Sequence, residues 1–202
     1  MEHDPTFSVI SVEHVYTVLD SRWMAIRTTH RFTLEALQRS RFFLRSYTWD
    51  NAVGIEKPPI ILSGRNQSGT TSHRIQGPVI LGEKGKRLAV VDLGRVFEKG
   101  EQEFLEIEHF FVRTRPDDSG FVGHAALPGC REITLRAYLP ARDDLRPCFK
   151  SGYTETKEWK HTEPLSSAPS ATSPRLEVKH KVPNPVAGMR YRITWDQNRS
   201  DT

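Results

Sequence analysis

The stretch VYTVLDSRWMAIRTTHRFTL, residues 15–34, decides the fold class, because apolar and polar side chains alternate on both sides of a short polar turn. This alternation predicts an antiparallel two-stranded ribbon that turns at Ser21-Arg22, with Asp20 opposite Trp23. In this register one face of the ribbon is mostly apolar and the other is mixed. The second strand extends beyond its partner, so we predict that it pairs with another strand as well and lies centrally in a sheet.

Alternating segments recur along the rest of the chain, separated by turns that are rich in Gly, Pro, Asp and Ser. The clearest lie at 103–113 and 131–139, and another runs through Tyr191, Ile193 and Trp195. About ten short strands at regular spacing, with little helix, are typical of a sandwich or barrel. The sequence therefore predicts an all-β fold: a single antiparallel β-sandwich of immunoglobulin-like or Greek-key type.

The domain organisation follows from composition. We predict one domain over residues 1–195, because the candidate break near Gly120 is only a turn and not a linker. Residues 152–174 contain few apolar side chains and end in a run of Ser, Ala, Thr and Pro, which predicts a mobile loop. Residues 196–202 follow the last patterned strand and are predicted to be a frayed tail.

Composition and charge limit the cellular setting. Of 202 residues, 37% are hydrophobic, and 29 basic against 25 acidic residues give a modest net charge of +4. No apolar run approaches the ~20 residues of a membrane-spanning helix, and the N-terminus does not resemble a secretion signal. Cys130 and Cys148 are the only cysteines, and we predict that both are free thiols. These features predict a cytoplasmic protein without a membrane partner.

Six arginines and one acid, Glu35, lie between residues 22 and 45, with aromatic side chains among them. Arginine beside aromatic rings suits single-stranded nucleic acid, because bases stack on the rings while cations neutralise the phosphates. Such a site would consist of Arg27, Arg31, Arg41, Arg45 and Tyr47. Alternatively, the acidic run at 98–108 lies on a neighbouring strand and neutralises these arginines through cross-strand pairs of ~0.2–1 kcal/mol each. The sequence leaves both interpretations open.

No motif in the chain carries a recognisable reaction. The eight histidines are scattered, and in the predicted register His14 faces Thr29 while His30 faces Glu13, so a metal site would need a third strand. His109 falls on the apolar side of its strand, which favours a buried core histidine. No Gly-x-Ser-x-Gly nucleophile elbow is present. We therefore predict no catalytic residues, no metal and no cofactor, and a protein that is not an enzyme.

Exposed aromatic side chains are the remaining candidates for binding. Trp23 at the ribbon tip, Tyr138 on an outward position, and Tyr153 and Trp159 in the polar loop are predicted to contact a partner. The alternative is that these rings cap the open ends of the core. The resulting hypothesis is a non-catalytic intracellular binding module, acting as an adaptor, a sensor or a subunit, whose partner is another protein. A single-stranded nucleic-acid binder is the alternative hypothesis.

Overall fold

The computed structural model describes residues 6–20, 22, 24–48, 53–64, 72–81, 86–114, 120–141, 145–156, 158–170 and 174–197. These residues form sixteen strands and no helix, which confirms the predicted all-β class. In chain order the strands are β1 (Phe7–Val18), β2 (Ala25–Ala36), β3 (Ser40–Thr48), β4 (Val53–Glu56), β5 (Ile60–Ile61), β6 (Arg74–Ile75), β7 (Ile80–Leu81), β8 (Lys86–Phe97), β9 (Gln102–Arg113), β10 (Gly120–Ala125), β11 (Glu132–Pro140), β12 (Leu145–Tyr153), β13 (His161–Pro164), β14 (Ala168–Pro169), β15 (Arg175–Pro183) and β16 (Met189–Gln197).

The strands are arranged in three sheets. The large sheet has the order β14-β15-β11-β1-β2-β9-β4, and β5 also pairs with β9. The second sheet has the order β10-β16-β12-β13, and the third has the order β3-β8-β6 with β7 also beside β8. The predicted central position of β2 is confirmed, because it lies between β1 and β9.

The predicted single antiparallel sandwich of about ten strands is not confirmed. The described residues form three sheets, and β1 pairs with β11 in parallel. Side-chain alternation assigns each residue to a face but is the same for parallel and antiparallel neighbours. The direction of this distant pairing was therefore not visible in the sequence.

The register of the first ribbon differs from the prediction by one residue. Val15 lies opposite Thr29 and His14 opposite His30 in the β1–β2 pair. Because side chains alternate with a period of two, a slip of one residue exchanges the two faces of a strand. The inward face of β1 consequently carries His14 and Tyr16.

The turn between the two strands explains this shift. The carboxylate of Asp20 accepts hydrogen bonds from the backbone amides of Met24, at 2.9 Å, and Ala25, at 3.3 Å. In addition, the Leu19 amide donates to the Ala25 carbonyl oxygen at 2.8 Å. The closing backbone pair is therefore Leu19 with Ala25, and the turn is wider than the two-residue turn that the sequence predicted.

A hydrophobic core joins the inner faces of the sheets. The predicted alternating segment through Tyr191, Ile193 and Trp195 is confirmed as strand β16, and these three side chains are all buried. The Trp195 indole packs 5.1 Å from the Tyr16 ring and lies against Gly120, where a Cβ would come within 2.8 Å of the indole. Glycine at this position therefore allows β10 to approach the indole closely.

The chain between residues 145 and 174 contains three strands that were not predicted. β12 carries Pro147 and Gly152, two residues that weaken a strand prediction, yet Pro147 pairs opposite Trp195. The short strands β13 and β14 lie inside the stretch that was predicted to be a mobile loop. Backbone pairing with β12 and β15 orders these two segments without requiring apolar side chains.

One buried carboxylate connects the three strands β3, β8 and β6 of the third sheet through hydrogen bonds. Asp92 on β8 accepts hydrogen bonds from Arg41 on β3, at 2.7 and 3.0 Å, and from Arg74 on β6, at 3.2 Å. It also accepts the backbone amide of Gly94 at 2.9 Å. The hydrogen bonds from Arg41 are the main cause that lowers the Asp92 pKa to about 2.

Candidate functional site

Four histidine side chains, from four different strands, converge inside the molecule. They are His14 on β1, His30 on β2, His109 on β9 and His124 on β10, and we call them the histidine cluster. His14 is 4% exposed and His109 is 1% exposed, whereas His30 and His124 are half-buried. The inward alternation of β1 and β9 places the first two among apolar neighbours, so the prediction of a buried His109 is confirmed.

The ring nitrogens of three cluster members, His14, His30 and His124, form a chain. His14 uses Nε2 to contact His124 Nδ1 at 3.0 Å and Nδ1 to contact His30 Nδ1. The His109 ring lies edge-on to His30, with centroids 5.3 Å apart, and 4.7 Å from the Tyr47 ring. A neutral imidazole has one donor and one acceptor nitrogen, so a neutral His14 donates to one neighbour and accepts from the other.

Burial keeps the histidine cluster uncharged. Desolvation is the largest cause that lowers the pKa of His109 and of His124 to about 3, and the Arg45 charge adds to it. Desolvation and the neighbouring histidines hold the pKa of His14 and of His30 well below the usual value. All four rings are therefore neutral at neutral pH.

Arg45 on β3 is the fixed positive charge of this region. Burial lowers its pKa to about 10, so the guanidinium remains protonated at neutral pH. The group lies over the Phe32 ring at 5.0 Å and donates to the Ser46 carbonyl oxygen. Its Nε is buried and has no hydrogen-bond partner among the described residues. Protonating the histidine cluster would place a second positive charge beside this cation.

A serine–histidine–glutamate arrangement lies elsewhere in the fold. Ser63 Oγ is 2.9 Å from His73 Nδ1, and a Glu103 carboxylate oxygen is 4.0 Å from His73 Nε2. However, Ser63 and His73 are only 7% and 2% exposed, and the serine oxygen already accepts the Glu106 amide at 2.9 Å. A nucleophile needs access to its substrate, so this arrangement supports the structure and not a reaction.

The predicted neutralisation of the basic run is confirmed for three of its arginines, one of which is Arg39, 3.2 Å from Glu98. β2 and β9 are neighbours, so Arg27 lies 3.8 Å from Glu108, and Arg31 lies 2.9 Å from Glu106. Arg31 also contacts Glu13 on β1 at 2.7 Å. The pairs of Arg27 and Arg31 form on the outer face of the large sheet.

The other residues of the nucleic-acid hypothesis lie away from that face. Arg41 is bound to Asp92 in the third sheet, Arg45 lies beside the histidine cluster, and Tyr47 is buried. The predicted arginines and Tyr47 therefore do not form one surface, and the nucleic-acid hypothesis loses its geometric basis.

A groove of about 320 Å³ crosses the outer face of the large sheet. Its charged lining includes Glu13 and Glu132 together with Arg31, Lys179 and Lys181. The remaining lining residues are Ser11, Val12, Phe32, Thr33, Phe104 and Thr134. Acidic, basic, hydroxyl and aromatic groups thus lie side by side, a combination that suits a small ligand with both charges.

The predicted aromatic contact residues are distributed over separate surfaces. Trp23 lies outside the described residues. Tyr138 lies on β11, and its hydroxyl accepts a hydrogen bond from Arg136 at 3.0 Å. Tyr153 is 43% exposed, and half-buried Trp159 follows it on the segment between β12 and β13. Of the three described residues, Tyr153 and Trp159 are close in sequence, whereas Tyr138 lies on a strand of the large sheet.

The sequence did not reveal the histidine cluster. His14 contacts His30, 16 residues away in the sequence, and His124, 110 residues away. The one available signal was the pairing of His14 with His30, which the one-residue error in register concealed. The correct register would have placed two histidines side by side on the inward face.

Comparison with known proteins gives a match at the level of fold. No protein-family model matches the chain, and no curated protein sequence matches it. An M1 zinc metallopeptidase from Deinococcus radiodurans matches 93% of this chain and 42% of its own chain, with 12% identity and a TM-score of 0.52. A variant of that enzyme bound to a Tyr-Ser-Ala substrate matches 94% of this chain and 42% of its own, with 11% identity and a TM-score of 0.50.

The chain shares its fold with part of these peptidases. It spans less than half of their length, and the identity is too low to assign an activity. The hypothesis of a non-catalytic adaptor is nevertheless contradicted, because the matched fold is that of a peptidase chain. A membrane-spanning helix is absent from the part of the chain that the structure describes.

Zinc, which the matched enzymes carry by name, does not fit the described residues. No group of three or more His, Cys, Asp or Glu side chains within the described ranges could hold a metal ion. In the histidine cluster, both nitrogens of His14 face nitrogens of other histidines. A zinc ligand must direct one free nitrogen lone pair to the metal, and the observed contacts are ring–ring hydrogen bonds instead.

Proposed function

We propose that this chain works in peptide hydrolysis as the β-rich portion of a protein built like the zinc metallopeptidases, and that it binds peptide in the groove of the large sheet. The observation that carries the proposal is the fold match, which extends over 93–94% of the chain. The metal-bearing portion is then supplied from outside the described residues, by further polypeptide or by a partner protein.

The groove has the chemistry that a short peptide needs. A free peptide carries an amine and a carboxylate, and the groove presents groups of both charges, with Glu13 and Glu132 already paired to Arg31 and Lys181. Lys181 is already paired with Glu132 at 2.7 Å, whereas exposed Lys179 has no ion pair with a described carboxylate. Lys179 is therefore the group that can bind the peptide carboxylate without breaking an existing pair.

The cellular setting is part of the proposal. Cys130 and Cys148 are both free, as predicted. Burial is the main cause that raises the pKa of the Cys130 thiol, which keeps this residue in its unreactive protonated form. Free thiols are typical of a reducing compartment, and we place the protein in the cytoplasm on this ground.

Titration of the chain with Tyr-Ser-Ala, followed by amide chemical shifts, tests peptide binding. We expect the shifts to be concentrated on groove residues such as Ser11, Thr33 and Thr134. Lys179→Ala should weaken binding severalfold, because the peptide carboxylate loses its cation. The matched control is Lys99→Ala, which removes an exposed lysine from the β8–β9 turn and should leave binding unchanged. Shifts that avoid the groove, or equal binding by both variants, would contradict the proposal.

Cleavage is tested separately by adding zinc to the same mixture and following the peptide by chromatography. We expect the peptide to remain intact with this chain alone, because its described residues offer no group that holds the metal. Zinc-dependent cleavage by the isolated chain would contradict the proposal that the metal-bearing portion is supplied by further polypeptide or by a partner protein.

A further inference from the structure

Arg45 on β3 is an interior cation without a carboxylate partner among the described residues. Its guanidinium donates to the Ser46 carbonyl oxygen and lies over the Phe32 ring at 5.0 Å, and neither group carries a negative charge. Arg41 and Arg136, in contrast, contact carboxylates at 2.7 and 3.1 Å. Removing an unpaired charge from water is costly, so interior charges in proteins are paired. Arg45 therefore needs an anion that the described side chains do not supply.

Neutral rings surround this cation. The Phe32 ring that the guanidinium covers packs 6.0 Å from the His14 ring and 6.3 Å from the His30 ring. Burial is the main cause that lowers the pKa of all four members of the histidine cluster, and the Arg45 charge adds to it in each. The cation therefore lies within electrostatic reach of the whole cluster. Neutral imidazoles cannot balance its charge, so this part of the interior attracts an anion.

Two nitrogens of this region lack a hydrogen-bond partner among the described residues. Nε of Arg45 is buried without a partner, and so is Nε2 of His124. His124 uses its Nδ1 to contact His14, whose other ring nitrogen contacts His30. A neutral imidazole carries one hydrogen, so when His124 accepts from His14, its Nε2 must carry that hydrogen. In this tautomer Arg45 and His124 both present an N–H group that requires an acceptor.

We infer that this interior site binds a small monocarboxylate, with the guanidinium of Arg45 and the Nε2–H of His124 as its donors. The charge indicates the class of ligand, because a single carboxylate balances the Arg45 charge. The shape agrees with this choice, since a planar guanidinium donates two parallel hydrogen bonds to the two oxygens of a carboxylate. A bound carboxylate also fixes the direction of the histidine chain, because it accepts a hydrogen bond and so requires the hydrogen on Nε2 of His124.

The surroundings limit the size and the charge of the ligand. Phe32 and His109 are each 1% exposed, so the inner end of the site is closed. Arg45, His30 and His124 are half-buried, which leaves a route for a small ion. A phosphate group carries more than one negative charge at neutral pH and would leave part of it unbalanced. The site lies on the inner face of the large sheet and the peptide groove on the outer face, so this inference goes beyond the proposed function and does not depend on it.

Titration of the full chain with sodium acetate, followed by the nitrogen-15 shifts of Arg45 Nε and the histidine rings, tests this inference. We expect saturable changes at Arg45 Nε and at His124 Nε2, and none with sodium chloride at the same ionic strength. Arg45→Gln should weaken acetate binding at least about tenfold, the range for a lost charge-assisted hydrogen bond. Arg39→Gln is the matched control, because Arg39 is exposed and pairs with Glu98, and it should leave acetate binding unchanged.

Urea unfolding gives a second readout, because a ligand that binds only the folded state raises its stability. Acetate should raise the unfolding midpoint of the wild-type chain above its value in chloride at equal ionic strength, and should not do so for Arg45→Gln. If this variant does not fold, Arg45→Lys takes its place; it keeps the charge without the planar edge and should bind acetate severalfold more weakly. Equal responses to acetate and chloride, wild-type acetate affinity in the folded Arg45 variant, or tighter binding of sodium phosphate than of acetate would each overturn the inference.

Discussion

Acidification below about pH 6 is expected to destabilise the protein steeply, because the histidine cluster is neutral in the folded state. An unfolded histidine binds a proton near pH 6.5, whereas the folded pKa of His109 and of His124 is about 3. Between these values the unfolded state binds more protons, so stability falls as the pH falls. Each such histidine contributes ~1.4 kcal/mol per pH unit. Stability is fully present above this window.

The variant His109→Gln isolates one member of the cluster. In urea unfolding at a series of pH values, its stability should decline less steeply below pH 6, by ~1.4 kcal/mol per pH unit. Phe32→Leu is the matched control, because Phe32 packs in the same region but does not titrate. It should lower stability by ~1 kcal/mol at every pH and keep the wild-type slope. An unchanged slope in His109→Gln would show that this ring is already protonated in the folded protein.

Replacing Asp92 with alanine is expected to cause the second large effect, a loss of ~2–3 kcal/mol in the free energy of unfolding. The Asp92 side chain is 2% exposed and is the common acceptor for Arg41, Arg74 and the Gly94 amide. The cost stays below that of a fully buried pair, because Arg41 and Arg74 are 42% and 65% exposed and regain water.

Urea unfolding at pH 7 measures this loss, and two further variants interpret it. Asp92→Asn should lie between alanine and the wild type, since an amide oxygen can still accept the Gly94 amide. Arg39→Ala removes an exposed ion pair with Glu98 and should change stability little. Because Asp92 has a folded pKa of about 2, its contribution is lost only as the pH falls from about 4 toward 2. It therefore does not affect the histidine measurement near pH 5. A negligible change in the free energy of unfolding for Asp92→Ala would contradict the conclusion that Asp92 stabilises the third sheet.

Local pattern predicted a large part of the fold. Alternation identified β2, β9, β11 and β16, and the length of β2 indicated its central position in the large sheet. It could not give the register of β1 against β2, since that is set by the hydrogen bonds of Asp20 in the turn. It also could not give the direction of the β1–β11 pair, whose members are more than a hundred residues apart.

The candidate sites were harder to predict, for a physical reason. The histidine cluster combines residues from strands that are distant in sequence. Trp159 was predicted as a contact residue from its polar surroundings alone, but its arginine partners come from β16. The arginines between residues 22 and 45 looked like a stronger binding site in the sequence than Trp159 did. The fold nevertheless places Arg27 on the large sheet, Arg41 on the third sheet and Arg45 in the interior. Charge along a strand predicts a surface only when the neighbouring strands are known.

Nitrogen-15 spectra of the histidine rings test the central claim, that the fold brings four distant histidines together as neutral rings, three of them joined by hydrogen bonds. At pH 7 we expect the shifts of neutral imidazole for His14, together with scalar couplings through hydrogen bonds from its ring nitrogens to His30 and His124. Imidazolium shifts for all four rings at pH 7, without any coupling between them, would contradict both the register of β1 with β2 and the arrangement of the sheets around the cluster.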